Sequence, residues 1–75
     1  MLEKILEIIS LQVGMSVDEL NSDIVLADIG IDSLSLMKII MSIENRFDIQ
    51  IVDEEIVDIQ LISDITNLTV KKVSF

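Results

Sequence analysis

The chain is expected to fold as an all-α four-helix bundle, with three longer helices, one short third helix and a long loop between the first two. Three features of the sequence predict this. Apolar residues recur at intervals of three and four in two long stretches, the spacing that gathers them on one face of a helix. Helix-start residues precede those stretches, Asp32-Ser33 before one and Ser63 before another. Hydrophobic residues make up 51% of the 75 positions with no proline and only two glycines, which suits one packed core and argues against disorder. Residues 1–75 are read as a single domain, with helices in an antiparallel arrangement.

In the first helix, Leu2, Ile5, Leu6, Ile9 and Val13 share a face while Glu3, Lys4, Glu7 and Ser10 fall elsewhere, so it should span residues 2 to 13. Gly14 is placed to end it. Residues 15 to 32 have no sustained period but keep Val17, Leu20, Ile24, Leu26, Ile29 and Ile31 as spaced anchors. They are expected to form a long loop over the core, with a capping box at Ser16 and Glu19 supporting at most a short turn. Connections of this length are often functional.

The second helix should open at Asp32 or Ser33 and run to Phe47. Its residues Leu36, Ile39, Ile40, Ile43 and Phe47 fall on an arc roughly 100° wide, enough for a core-facing stripe. Ser35, Lys38, Ser42, Asn45 and Arg46 fill the opposite arc. Between the two lies a second apolar row, Leu34, Met37 and Met41. Either the core wraps far round this helix or the row is partly exposed for docking, a use that suits methionine's adaptable side chain. Asp53-Glu54-Glu55 should open the short third helix, acids complementing the positive end of its dipole. Ser63 should cap the fourth, whose apolar face would be Ile62, Ile65, Leu68 and Val73, ending near Lys71-Lys72.

Composition excludes whole classes of function. A formal charge of −9, from 14 acidic and 5 basic residues, repels a phosphate backbone, so no nucleic acid is expected. Acidic surfaces instead attract basic patches on other proteins, unless the charge serves solubility alone. With no histidine there is no Ser-His-Asp arrangement, and with no cysteine there is neither a disulfide nor a thiolate metal site. Asp23, Asp28 and Asp32 lack the spacing of a calcium loop. No catalytic residue and no metal ligand is assigned. No segment suits a signal peptide or a bilayer span, so a cytoplasmic monomer without membrane insertion is expected.

Ser33 is an ordinary helix cap in isolation. Placed at a helix N-terminus, however, it is physically suited to bear a phosphate ester, because unpaired N–H groups and the helix dipole favour negative charge there. The stretch Ile29-Gly30-Ile31-Asp32-Ser33-Leu34, then Ile43-Glu44-Asn45-Arg46-Phe47-Asp48-Ile49 and Asp53-Glu54-Glu55, resembles the acyl carrier protein family. The resemblance extends over essentially the whole chain, with Leu26 and Asp28 upstream in their expected places.

That resemblance implies a carrier, not an enzyme. It implies that Ser33, flanked by Asp32 and Leu34, receives 4′-phosphopantetheine from coenzyme A through a magnesium-dependent phosphopantetheinyl transferase. The arm's thiol would hold acyl intermediates as thioesters for enzymes of fatty acid or polyketide-type biosynthesis. Aminoacyl, D-alanyl or peptidyl carriage, or an unmodified acidic adapter, are the alternatives. Partners would be acyl-processing enzymes (synthases, transferases and acyl ligases) with basic docking patches, meeting Leu34, Met37, Lys38, Met41 and Glu44. Ile51, Ile56, Ile59 and Ile62 read as core, although the resemblance allows them to line an acyl cavity. The chain departs from the fatty acid synthesis pattern at Ser35, Lys38, Asn45 and Arg46, where acids are frequent, and at Val52, where proline is.

Overall fold

The computed structural model describes residues 1–73, and among these the chain forms four α-helices: α1 Leu2–Val13, α2 Ser33–Phe47, α3 Asp53–Ile56 and α4 Ile62–Val73. Two short 3-10 helices, Val17–Glu19 and Leu26–Ile29, lie in the connection from α1 to α2. The expected bundle is therefore present, with the helix bounds of α1 and α2 as the periodicity predicted.

α1 stops where the chain turns left-handed at Gly14, φ 76°, whose N–H donates to the Ser10 carbonyl at 2.9 Å. The Ser10 hydroxyl donates onward to the Met15 carbonyl, which fixes the exit of the chain. Ser16 and Glu19 form the anticipated capping box: the Asp18 N–H donates to Ser16 Oγ at 3.2 Å and the Ser16 N–H to Glu19 Oε1 at 3.1 Å.

The second 3-10 helix was not foreseen, because its partners are distant in sequence. Leu26 N–H donates to the Gln60 carbonyl at 2.9 Å, Ile62 N–H to the Ile24 carbonyl at 3.1 Å and Ser63 N–H to the Ser22 carbonyl at 2.9 Å. These bonds clasp the crossover to the α3–α4 connection around a single antiparallel bridge between Val25 and Leu61. The loop is thereby held by backbone bonds that satisfy its own polar groups over the core.

Isoleucine dominates the interior. Ile5 and Ile9 of α1, Ile39, Ile40 and Ile43 of α2, and Ile62 and Ile65 of α4 are at most 1% exposed. Burying each stabilises the fold by about 1.5–3 kcal/mol relative to exposure. Leu20, Leu26 and Ile31 from the crossover and Ile51 after α2 close the core from the sides.

Two expectations for α4 are corrected. Ser63 does not cap it but lies within its first turn; Asp64 reaches back instead, its Oδ2 accepting the N–H groups of Gln60 and Leu61, both at 2.9 Å. A carboxylate one residue further on has the reach to satisfy two orphan donors and complements the helix dipole as well. Val73 is 44% exposed, one turn past the last buried position, and Thr69 takes the core place. Thr69 is buried without penalty because its hydroxyl donates to the Ile65 carbonyl at 2.8 Å.

α3 opens with its three acids as expected, and the Val52 N–H donates to Glu55 Oε1 at 3.1 Å. The same Glu55 oxygen meets Lys72 Nζ of α4 at 2.7 Å. Among the described residues no helix is long and apolar enough to cross a membrane.

Candidate functional site

Gly30 ends the second 3-10 helix with φ 83°, and its N–H donates to the Ala27 carbonyl at 3.2 Å. That left-handed turn redirects the chain three residues before α2 begins. Asp32 then caps α2: its backbone is extended, its Oδ1 accepts the Ser35 N–H at 2.8 Å, and its carbonyl accepts the first helical bond from Leu36 at 2.9 Å. Its carboxyl is held below the usual aspartate range, chiefly by the Ser35 N–H and then by the Ser35 hydroxyl. Asp32 is thus an anchored anion beside Ser33.

Ser33 occupies the first helical position and is exposed. Its hydroxyl makes no hydrogen bond among the described residues. An oxygen at this place is reachable from solvent and stands on the positive end of a fifteen-residue helix. Beside it opens a cavity of about 320 Å³, lined by Val25, Leu26, Ile31, Leu36, Ile59 and Gln60, with the exposed Asp32 and Ser33 on its rim. Periodicity could not reveal this cavity, since it exists only because the clasp brings Val25 and Gln60 together.

Of the four isoleucines that were candidates for a cavity wall, only Ile59 lines it. Ile51 and Ile62 are buried core, and Ile56 is packed against the core. Leu36, which belongs to the core stripe of α2, also faces the cavity.

The second apolar row of α2 is on the surface. Leu34 is 66% exposed, Met41 57% and Met37 39%, whereas Ile39, Ile40 and Ile43 are sealed in the core. One core cannot use both stripes, and here the row beginning at Leu34, beside Ser33, is the one left out. Lys38 is exposed on the same side. Glu44 differs from the other candidates: it is half-buried, and its Oε2 accepts the Ile51 N–H at 2.9 Å, holding the loop after α2 against that helix.

The residues present suit a phosphopantetheine arm. They offer an exposed hydroxyl on a helix start, a neighbouring apolar cavity, and a carboxylate kept ionised at the rim. Among the described residues there is no group of three or more metal-ligating side chains.

Comparison with known proteins matches residues 3–69 to the family described as "Phosphopantetheine attachment site". The chain is 39% identical over 71 residues to an acyl carrier protein of Solidesulfovibrio magneticus, covering 93% of this chain and 91% of that one. It is 36% identical over 66 residues to an acyl carrier protein of Rickettsia bellii (strain OSU 85-389), covering 87% and 82%. In structure it is similar to a crystallised acyl carrier protein from Thermotoga maritima, with a TM-score of 0.83 and 28% identity over 95% of this chain and 84% of the other.

Proposed function

The chain belongs to the acyl carrier protein family, whose cofactor is 4′-phosphopantetheine, and from that premise we propose that Ser33 is the residue that bears the arm. The observation that carries this reading is the exposed Ser33 hydroxyl, free of hydrogen bonds, at the start of α2 and on the rim of an apolar cavity. When bound, the arm supplies a terminal thiol that holds an acyl group as a thioester. The chain's own residues do the rest: Asp32 fixes the first turn, the helix N-terminus favours the phosphodiester, and the cavity offers apolar contact to whatever the thiol holds.

The protein is a carrier, not a catalyst, and it delivers acyl intermediates to acyl-processing enzymes. We assign it to fatty acid or polyketide-type synthesis in the cytoplasm, as one carrier domain spanning residues 1–75. Leu34, Met37 and Met41 support the docking reading, because three large apolar side chains lie exposed along one helix face next to Ser33.

Intact-protein mass spectrometry tests the attachment. Incubation with coenzyme A, magnesium and a broad phosphopantetheinyl transferase should add the mass of one phosphopantetheine to the wild type and none to Ser33→Ala. An adduct that persists in Ser33→Ala would place the arm elsewhere.

A further inference from the structure

The outward face of α2 carries the wrong charge for a simple basic docking patch. Taken at about 100° per residue, Lys38, Met41 and Asn45 fall within roughly 40° of Leu34, so these four residues form the ridge that points away from the core. Lys38 lies on that ridge between Leu34 and Met41, one turn from each. A partner surface that covers both apolar side chains must also meet the ammonium group.

The rest of α2 does not neutralise it. In a chain of net charge −9, this helix holds two cations, Lys38 and Arg46, and a single acid, Glu44. Glu44 is half-buried and its carboxylate is engaged by the Ile51 N–H. The ion pair found among the described residues is Lys72 with Glu55, so Lys38 is in none of them. Ser42, one turn on, turns its hydroxyl back to the Lys38 carbonyl at 3.1 Å and offers the ammonium no counter-charge.

We propose that the enzyme surface fitted to this carrier receives Leu34 and Met41 in an apolar pocket and sets a carboxylate against Lys38. The proposal rests on the carrier reading and names its partner's chemistry. A cationic pocket would be repelled at the centre of the contact, and a wholly apolar one would strip water from an unpaired ammonium. A carboxylate removes both penalties and discriminates against partners built for acidic helices. The acids elsewhere on the chain still raise the rate of encounter with basic surfaces, while Lys38 decides which encounters become productive.

The test uses holo-protein driven to complete loading, checked by intact mass, as wild type, Lys38→Ala and Lys38→Glu. Ketoacyl synthases and acyl ligases from the source cell are assayed, and the enzyme with the highest kcat/KM toward the wild type is taken as the probe. Lys38→Glu should lower kcat/KM roughly tenfold or more, mainly through KM, with Lys38→Ala in between. Reversal of one acidic residue of that enzyme to lysine should restore activity toward Lys38→Glu but not toward the wild type. An unchanged or raised kcat/KM in Lys38→Glu, with loading intact, overturns the proposal alone. A wild type that accepts no arm overturns the attachment reading and this proposal with it.

Discussion

Gly30 and Asp32 shape the start of α2 by different means. Gly30 lies at φ 83° with nothing within 4 Å of where a Cβ would stand, so its requirement is conformational and not one of space. Gly30→Ala should therefore destabilise the fold by about 1–2 kcal/mol, and Gly30→Asn by less, since asparagine tolerates the left-handed region. Urea denaturation checks both. Asp32 acts through charge and cap together, and its folded pKa lies below the ordinary value of 3.8. Its contribution is full above that value and is lost as pH falls below it through the folded pKa. Asp32→Asn keeps an acceptor for the Ser35 N–H but cannot titrate, so its melting temperature should fall less steeply than the wild type's below about pH 4. Equal acid sensitivity in the two proteins would show that the carboxylate contributes nothing to this window. The anion at this site is an exposed one, and the expected difference is correspondingly small.

α2 serves two surfaces at once. Its buried stripe and its exposed ridge lie on opposite sides of the helix, with adjacent residues such as Ile40 and Met41 about 100° apart, and the energetic cost of truncation should differ sharply. Ile40→Ala should cost about 2–5 kcal/mol by leaving a cavity, whereas Met41→Ala, one residue later, should stay within about 0.5 kcal/mol. Equal losses in chemical denaturation would place Met41 in the core and remove the docking row. At the other end of α2, Glu44 ties the following loop to the helix. Glu44→Ala leaves the Ile51 N–H without its acceptor and should cost about 1–2 kcal/mol, while Glu44→Gln, which keeps an amide oxygen, should recover much of it. α3 has only four residues and depends on its neighbours, the Val52 N–H and Lys72 both meeting Glu55. Glu55 is also held below its ordinary value, first by Lys72 and then by the Val52 N–H, so acid should loosen α3 from α4 as that carboxylate is protonated.

Over the whole molecule, a small core works against a large charge. A chain of 75 residues is expected to have about 4–11 kcal/mol of stability in all, so one core truncation can remove a large part of it. A net charge of −9 on so compact a surface repels itself. Raising sodium chloride from about 0.01 M to 0.15 M shortens the screening length from roughly 30 Å to 8 Å and should raise the melting temperature. A melt insensitive to salt would mean that the acids are spaced well enough for repulsion not to matter. That same charge acts at long range in association, while the local charge on α2 is positive, so the salt dependence of partner binding and the effect of Lys38 are separable.

Much of this protein is determined locally, and the sequence alone therefore reveals it. The bounds of α1 and α2, the turn at Gly14, the capping box at Ser16 and Glu19, and the cap at Asp32 all depend on residues within four positions of one another. The two stripes of α2 were also visible, although periodicity could not say which one the core would take. Tertiary structure decided that by sealing Ile39, Ile40 and Ile43 and leaving Leu34, Met37 and Met41 outside. It also decided the second 3-10 helix, the replacement of Val73 by Thr69, and the cavity beside Ser33. The 3-10 helix and the cavity depend on segments about thirty-five residues apart meeting through backbone N–H and carbonyl groups, as at Leu26 and Gln60, and the place of Thr69 depends on how α4 packs on the core. Such bonds carry no side-chain signature, and so they exist for the reader of a sequence only once the chain has folded.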